Sequence, residues 1–274
     1  MIPTLSSCTL LATPLLEQLT TIADAGGKAV DVWLTQLEEF VEKQSAEPLK
    51  KLIADRSLNL VSACYQGGLL LSHGEERRSQ FDHFQRRLSL CQEFGIQTLA
   101  IVPDFADRVS VTELQRAQVS LKQAAQLAAA FGVRLALEFR GDSSWCACLP
   151  TAAMLVASAE EPNVGICFDL FHYYMGPSKA EDLGYLTQEN LFLVQLCDLA
   201  GGLRELAGDS DRILPGEGDF ELQPILDHLR HIDYGGPVSV ELMNPALWKM
   251  KPLQVAEAAQ TGLRRVLGIA KHIS

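Results

Sequence analysis

Eight short apolar runs, each followed by a stretch of helical spacing, set the limits on what this chain can fold into. The runs are TLSSCTL (4–10), KAVDVWL (28–34), LNLVSACY (58–65), QTLAIVP (97–103), VRLALEF (133–139), VGICFDL (164–170), LFLVQLCDL (191–199) and PVSVELM (237–243). Most are apolar almost without a break. That is the pattern of parallel strands covered by helices on both faces, not of a sheet with one wet face. Between them Phe81, Phe84, Leu88 and Cys91 recur at steps of three and four, as do Leu114, Ala117, Leu121, Ala124, Ala128 and Phe131. Ala256, Ala259, Leu263, Val266 and Ala270 repeat the spacing near the end. Such spacing lines up one helix face for burial. Thr13 before Pro14, Ser110 with Glu113 as a capping box, and Pro252 mark helix starts. Gly26–Gly27, Gly95 and Gly132 mark helix ends.

Eight βα units in series predict an α/β fold, a (β/α)8 TIM barrel. Its length of 274 residues agrees, since such barrels run to about 250 residues as one unit. No internal repeat, low-complexity tract or linker interrupts it, so residues 1–274 are expected to form a single domain. An open doubly wound sheet is the alternative. The absence of a glycine-rich dinucleotide fingerprint after the first run counts against it.

The net charge of −11 argues against nucleic acid as a partner, because phosphate backbones are gripped by clusters of Lys and Arg. No run of about 18 apolar residues is present to span a membrane, and the start of the chain lacks the pattern of a secretory signal. Seven cysteines at irregular spacings do not form a disulfide framework, and Cys146 and Cys148 stand too close for a zinc pair. Reduced, structural cysteines and a cytoplasmic location are expected. The expected partner is a small-molecule substrate, and a homo-oligomer is compatible with the sequence.

The chemistry of such a barrel sits at the carboxyl ends of its strands. Four consecutive runs place an oxygen-bearing side chain at or near that end: Glu138 after RLAL, Asp169 after GICF, Gln195 within LFLVQLCD and Glu241 after PVSV. A carboxylate or amide set in so apolar a run is costly to bury without compensation. One divalent cation would compensate three carboxylates together. An all-oxygen set suits a hard ion, Mg2+ or Mn2+, better than zinc. Taken singly, each residue could instead cap a loop or form a salt bridge.

The same stretches resemble the xylose isomerase-like barrel family, which holds sugar isomerases and epimerases and shares its fold with metal-dependent abasic-site endonucleases. LALEF, FDLFH, VQLCD, RILPGEGDF and PVSVELMNP carry the resemblance, in order and at matching strands. It implies that Glu138 and Glu241 are metal ligands and also the acid/base pair facing each other across the substrate. It implies further that Asp169 is a structural ligand, that His172 touches a substrate oxygen, and that Arg212 holds the substrate. At the third ligand, where sugar epimerases usually carry His, this chain has Gln195. Hydroxypyruvate isomerase and one class of 3-dehydroshikimate dehydratases look like this.

The implied chemistry starts with removal of a proton from carbon next to a carbonyl whose oxygen the metal polarises. A glutamate then returns the proton elsewhere, giving an isomerase or epimerase, or an acid expels water, giving a dehydratase. The isomerase or epimerase of a small sugar-like hydroxycarbonyl compound is the leading expectation, and the dehydratase the alternative. Abasic-site cleavage needs more histidines than this chain places well. A binding protein on the same scaffold is the non-enzymatic alternative.

Several residues have two readings. His172 could be a core histidine, and Arg212 a surface arginine in a loop rich in Asp209, Asp211 and Glu217. Asp198 is either a partner of the metal site or a strand-end hydrogen bonder. PGEGD is either a tight turn capped by Asp219 or a phosphate cradle. Trp33, Trp145 and Trp248 could wall the pocket or simply pack, and His73 lies near the mouth.

Overall fold

A computed structural model describes residues 1–106, 108–202 and 204–269. Ala270, the last member of the final helical series, lies outside the described residues. The strands are β1 (Ile2–Ser6), β2 (Ala29–Trp33), β3 (Asn59–Gln66), β4 (Thr98–Ile101), β5 (Arg134–Glu138), β6 (Val164–Asp169), β7 (Leu191–Leu196) and β8 (Pro237–Val240). They follow one another in sequence order and close into a barrel. Each apolar run contributes one strand, and β4, β6, β7 and β8 are buried along their whole length.

The first run departs from expectation. Strand β1 ends at Ser6, and Ser7–Leu10 forms a short 3-10 helix in place of further strand. The Ser7 hydroxyl accepts the Trp33 backbone N–H at 2.7 Å, and Leu11 N–H bonds the Cys8 carbonyl. Those two bonds turn the chain where the run still reads as apolar.

The chain divides into two compact units, Met1–Val61 with Val194–Ser274, and Ser62–Leu193. In the first, β1 pairs in parallel with β2 and with β8, and β7 pairs with β8, setting Gln195 opposite Ser239. Helices α1 (Leu15–Asp24), α2 (Leu34–Lys43), α3 (Glu47–Arg56), α8 (Leu222–His231) and α9 (Pro252–Leu267) belong to this unit. Pro252 opens α9 at its first turn, as expected.

In the second unit β3, β4, β5 and β6 pair in parallel order, with Glu138 opposite Cys167. Its helices are α4 (Gly74–Glu93), α5 (Val111–Ala129), α6 (Leu149–Ala159) and α7 (Leu170–Met175). The Ser110 capping box is formed, with each partner accepting the other's backbone N–H. Gly165 has no room for a side chain: a Cβ there would lie 2.6 Å from the Asn190 carbonyl and the Phe192 ring.

Candidate active site

In the unit spanning Ser62–Leu193 the buried ends of β5 and β6 bring three ligand-bearing residues together. Glu138 is the last residue of β5, and Asp169 is both the last residue of β6 and the N-cap of α7. The Asp169 Oδ1 accepts the His172 backbone N–H at 3.0 Å. This cap sets the first turn of α7 and so aims the His172 ring. The His172 Nε2 lies 3.4 Å from the Glu138 Oε1. Glu138, Asp169 and His172 each offer one ligand atom, all within 4.8 Å of one another, and all three residues are buried.

Two carboxylates at this range repel and are costly to desolvate unless a positive charge lies among them. Two carboxylates and an imidazole are a donor set that a divalent cation fits. The loop after β5 is held close to α7 by Gly141 and Gly176. A Cβ at Gly141 would sit 2.7 Å from the Gly176 nitrogen and 2.9 Å from the His172 carbonyl.

At the carboxyl ends of β3 and β4 a cavity of about 500 Å3 is lined by Tyr65, Gly68, His73, Val102, Asp104 and Phe105. His73 is one of the residues that line it. The Trp145 indole N–H donates to the Asp104 carbonyl at 2.7 Å and ties the loop after β5 to the loop after β4. Trp145 is buried and is not among the residues that line this cavity.

In the other unit, Glu241 follows β8 directly, and both of its oxygens have partners. Its Oε1 accepts the Gln195 Nε2–H at 2.9 Å, and its Oε2 accepts from the Arg212 Nη1 at 3.3 Å. Arg212 is 1% exposed, which excludes the surface reading. Its Nε and Nη2 donate to one oxygen of Asp209, at 3.0 and 2.7 Å. Replacing Gln195 with Leu removes the donor on Glu241 Oε1. It is expected to lower the unfolding free energy by about 1–3 kcal/mol, the usual cost of stripping a buried polar group of its partner, with the circular dichroism spectrum intact. Denaturant titration measures it.

Three further assignments follow. Asp198 accepts backbone N–H groups of Leu199, Gly216 and Phe220, so it is the strand-end hydrogen bonder of the two readings. PGEGD is the tight turn: Gly216 has φ +79°, its N–H is taken by Asp198, and the Asp219 carboxylate accepts from Gly201. Trp248 donates its indole N–H to the Cys8 carbonyl at 3.0 Å. All seven cysteines are free thiols. Burial, and next the Glu241 charge, push the Cys8 thiol well above its usual range, so it stays protonated and is no nucleophile.

Two residues were missed in the sequence. Asp31 is a fully buried carboxylate in β2 that accepts the Ser239 hydroxyl at 3.4 Å. Its signal was in KAVDVWL, a carboxylate inside an apolar run, the same one that exposed Glu138 and Asp169. Asp209 was counted only as one acid among several, and its grip on Arg212 had no signature.

The xylose isomerase-like TIM barrel model matches residues 19–266, and the chain belongs to that family. Inosose isomerase of Bacillus subtilis (strain 168) is 28% identical to it over 195 residues, 70% of this chain and 69% of that protein. The 3-dehydroshikimate dehydratase of Pseudomonas aeruginosa is 26% identical over 235 residues, 83% of this chain but only 36% of the dehydratase. A crystal structure of an IolI protein with a bound zinc atom superposes with a TM-score of 0.92 at 21% identity, both chains covered in full. That superposition carries the fold. Among the described residues no helix is long and apolar enough to cross a membrane.

Proposed function

We infer that this chain is a divalent-metal-dependent isomerase or epimerase of a small sugar-like hydroxycarbonyl compound. The observation that carries the inference is the buried convergence of Glu138, Asp169 and His172 at adjoining strand ends. Family membership and the relation to inosose isomerases supply the reaction class. We assign the metal ligands to Glu138, Asp169, Gln195 and Glu241, on the order of strand ends in the sequence. Mn2+ or Mg2+ is the ion proposed.

A bound divalent ion would draw charge from the substrate's carbonyl oxygen and so acidify the neighbouring carbon–hydrogen bond. Glu138 or Glu241 takes that proton as a carboxylate, and the other glutamate returns a proton to the adjoining carbon or to the opposite face. Arg212 and His172 bind substrate oxygens. The chain acts in the cytoplasm as one catalytic domain, with no nucleic acid as partner.

If His172 serves the substrate, His172→Gln is expected to raise KM several-fold while Mn2+ affinity, read by calorimetric titration, holds. A parallel loss of Mn2+ affinity would assign His172 to the ion instead.

A second reading, a lyase of the dehydratase type, is supported by the 3-dehydroshikimate dehydratase relatives and by glutamine at position 195. A panel of ketoses, an inosose, hydroxypyruvate and 3-dehydroshikimate, incubated with enzyme and Mn2+, separates the two. An isomeric product of unchanged mass is expected. Loss of water from dehydroshikimate alone would replace the isomerase with the lyase, and turnover of none of them would contradict both.

A further inference from the structure

The cavity past β3 and β4 lies in the same unit as Glu138, Asp169 and His172, and strand register relates the two. Ile101 of β4 pairs with Leu137 of β5. The residues that follow this pair are Val102, which lines the cavity, and Glu138. Neighbouring strands run about 4.8 Å apart, so the cavity wall begins one strand away from Glu138. Its volume of about 500 Å3 falls in the range of small-molecule sites, roughly 300–1,000 Å3.

The walls are braced in advance of any ligand. The Asp104 Oδ2 accepts the Leu71 N–H at 2.5 Å and the Ser72 N–H at 3.3 Å, which ties the loop after β3 to the loop after β4. The Asp104 carbonyl takes the Trp145 indole N–H at 2.7 Å, which adds the loop after β5. A site formed beforehand loses less binding energy to ordering.

Two kinds of group line it. Tyr65 and Phe105 are aromatic rings, 40% and 85% exposed. An apolar ring left open to water beside a concavity is the mark of a binding surface. Glu76, Asp104 and Glu113 set three carboxylates against the guanidinium of Arg116 and the imidazole of His73. Hydrogen bonds from Ser110 hold the Glu113 carboxyl below its usual range, so it is charged at neutral pH. Carboxylates accept from hydroxyls and repel a phosphate, while an aromatic face packs against carbon–hydrogen groups. The combination suits an uncharged ring that carries hydroxyls on its edge.

We propose that this cavity binds the hydroxylated ring of an uncharged polyol substrate, with Phe105 packed on its carbon face, and that it rejects phosphate esters. This rests on the isomerase or epimerase reading and narrows its substrate to an unphosphorylated one.

Saturation-transfer NMR on the full chain, in chelator, with myo-inositol and myo-inositol 1-phosphate as probes, is the test. Neither probe has a carbonyl, so binding is read without turnover. The wild type is expected to bind myo-inositol and to bind the ester several-fold more weakly. Phe105→Ala should weaken myo-inositol about fivefold, the scale of a lost aromatic contact, and Phe105→Tyr should keep it. Phe105 stands in water, so neither change touches the core. No transfer to myo-inositol, undiminished affinity in Phe105→Ala, or an ester bound as tightly as its parent would each overturn the proposal. Calorimetric titration of the same three proteins with Mn2+ separates this from the underlying reading, and equal Mn2+ affinities are expected. If the probe results fail while Mn2+ binds, the proposal alone falls. If the wild type takes up no Mn2+, the metal-dependent reading falls, and the polyol site stands or falls on the probe results alone.

Discussion

Glu138→Gln and Glu241→Gln are each expected to lower turnover at least ~10²-fold, the scale of lost general acid–base catalysis. Glutamine keeps the length of the side chain and one carbonyl oxygen for a cation, but it cannot take a proton. Both positions are buried, so water is a poor substitute for the lost carboxylate. The two variants should differ in what they still do. In an isomerase or epimerase, the variant that keeps the abstracting glutamate still exchanges substrate deuterium for solvent hydrogen, although no product forms. The variant that lacks it does neither. In a dehydratase, loss of the abstracting residue stops exchange and water loss together. Near-normal turnover in both variants would place the chemistry on other residues.

The second large effect is expected at Asp169. Asp169→Asn should cost roughly 100-fold in Mn2+ affinity, the upper end of what loss of a supporting group costs, because a charged donor is replaced by a neutral one. The substitution is chosen for what it spares. Asp169 caps α7 through its Oδ1, and Asn caps a helix about as well as Asp, so the His172 turn is preserved. Thermal unfolding in the presence of chelator should therefore match the wild type, while the stabilisation that Mn2+ confers on the wild type should disappear. Full Mn2+ affinity in Asp169→Asn would remove this residue from the ligand set.

Most of the fold was legible because buried parallel strands carry an unusual signal, an apolar run without alternation. VGICFD and LFLVQL correspond to β6 and β7. The same property exposed Glu138, Asp169 and Glu241, since a carboxylate stands out against such a background. Asp31 carries that signal too, but it lies in the middle of KAVDVWL, away from the carboxyl end of the strand where the chemistry of a barrel sits. The first run misled because Ser7 is drawn into a hydrogen bond with Trp33, a tertiary contact that its neighbours do not announce. The loop between β7 and α8 was the least legible part. Whether Asp198 serves a metal or a turn, and whether Arg212 is surface or core, depends on how residues 208–220 fold back. A short 3-10 turn and an isolated pairing of Asp198 with Ile213 decide it, and neither has a periodicity to read. Asp209 was hidden for the same reason, since its partner is set by that turn and not by spacing.

Proton removal from carbon next to a carbonyl, dependent on a divalent ion and on the two glutamates, is the step that isomerase and dehydratase share. Deuterium incorporation from D2O into the ketose and inosose panel, followed by NMR, reads that step directly, even where no product accumulates. With Mn2+ the wild-type enzyme is expected to place deuterium on the carbon beside the carbonyl of its substrate. Incorporation should cease on chelation and in the Glu138→Gln/Glu241→Gln double variant. Exchange that persists undiminished with chelator or in the double variant would contradict the account.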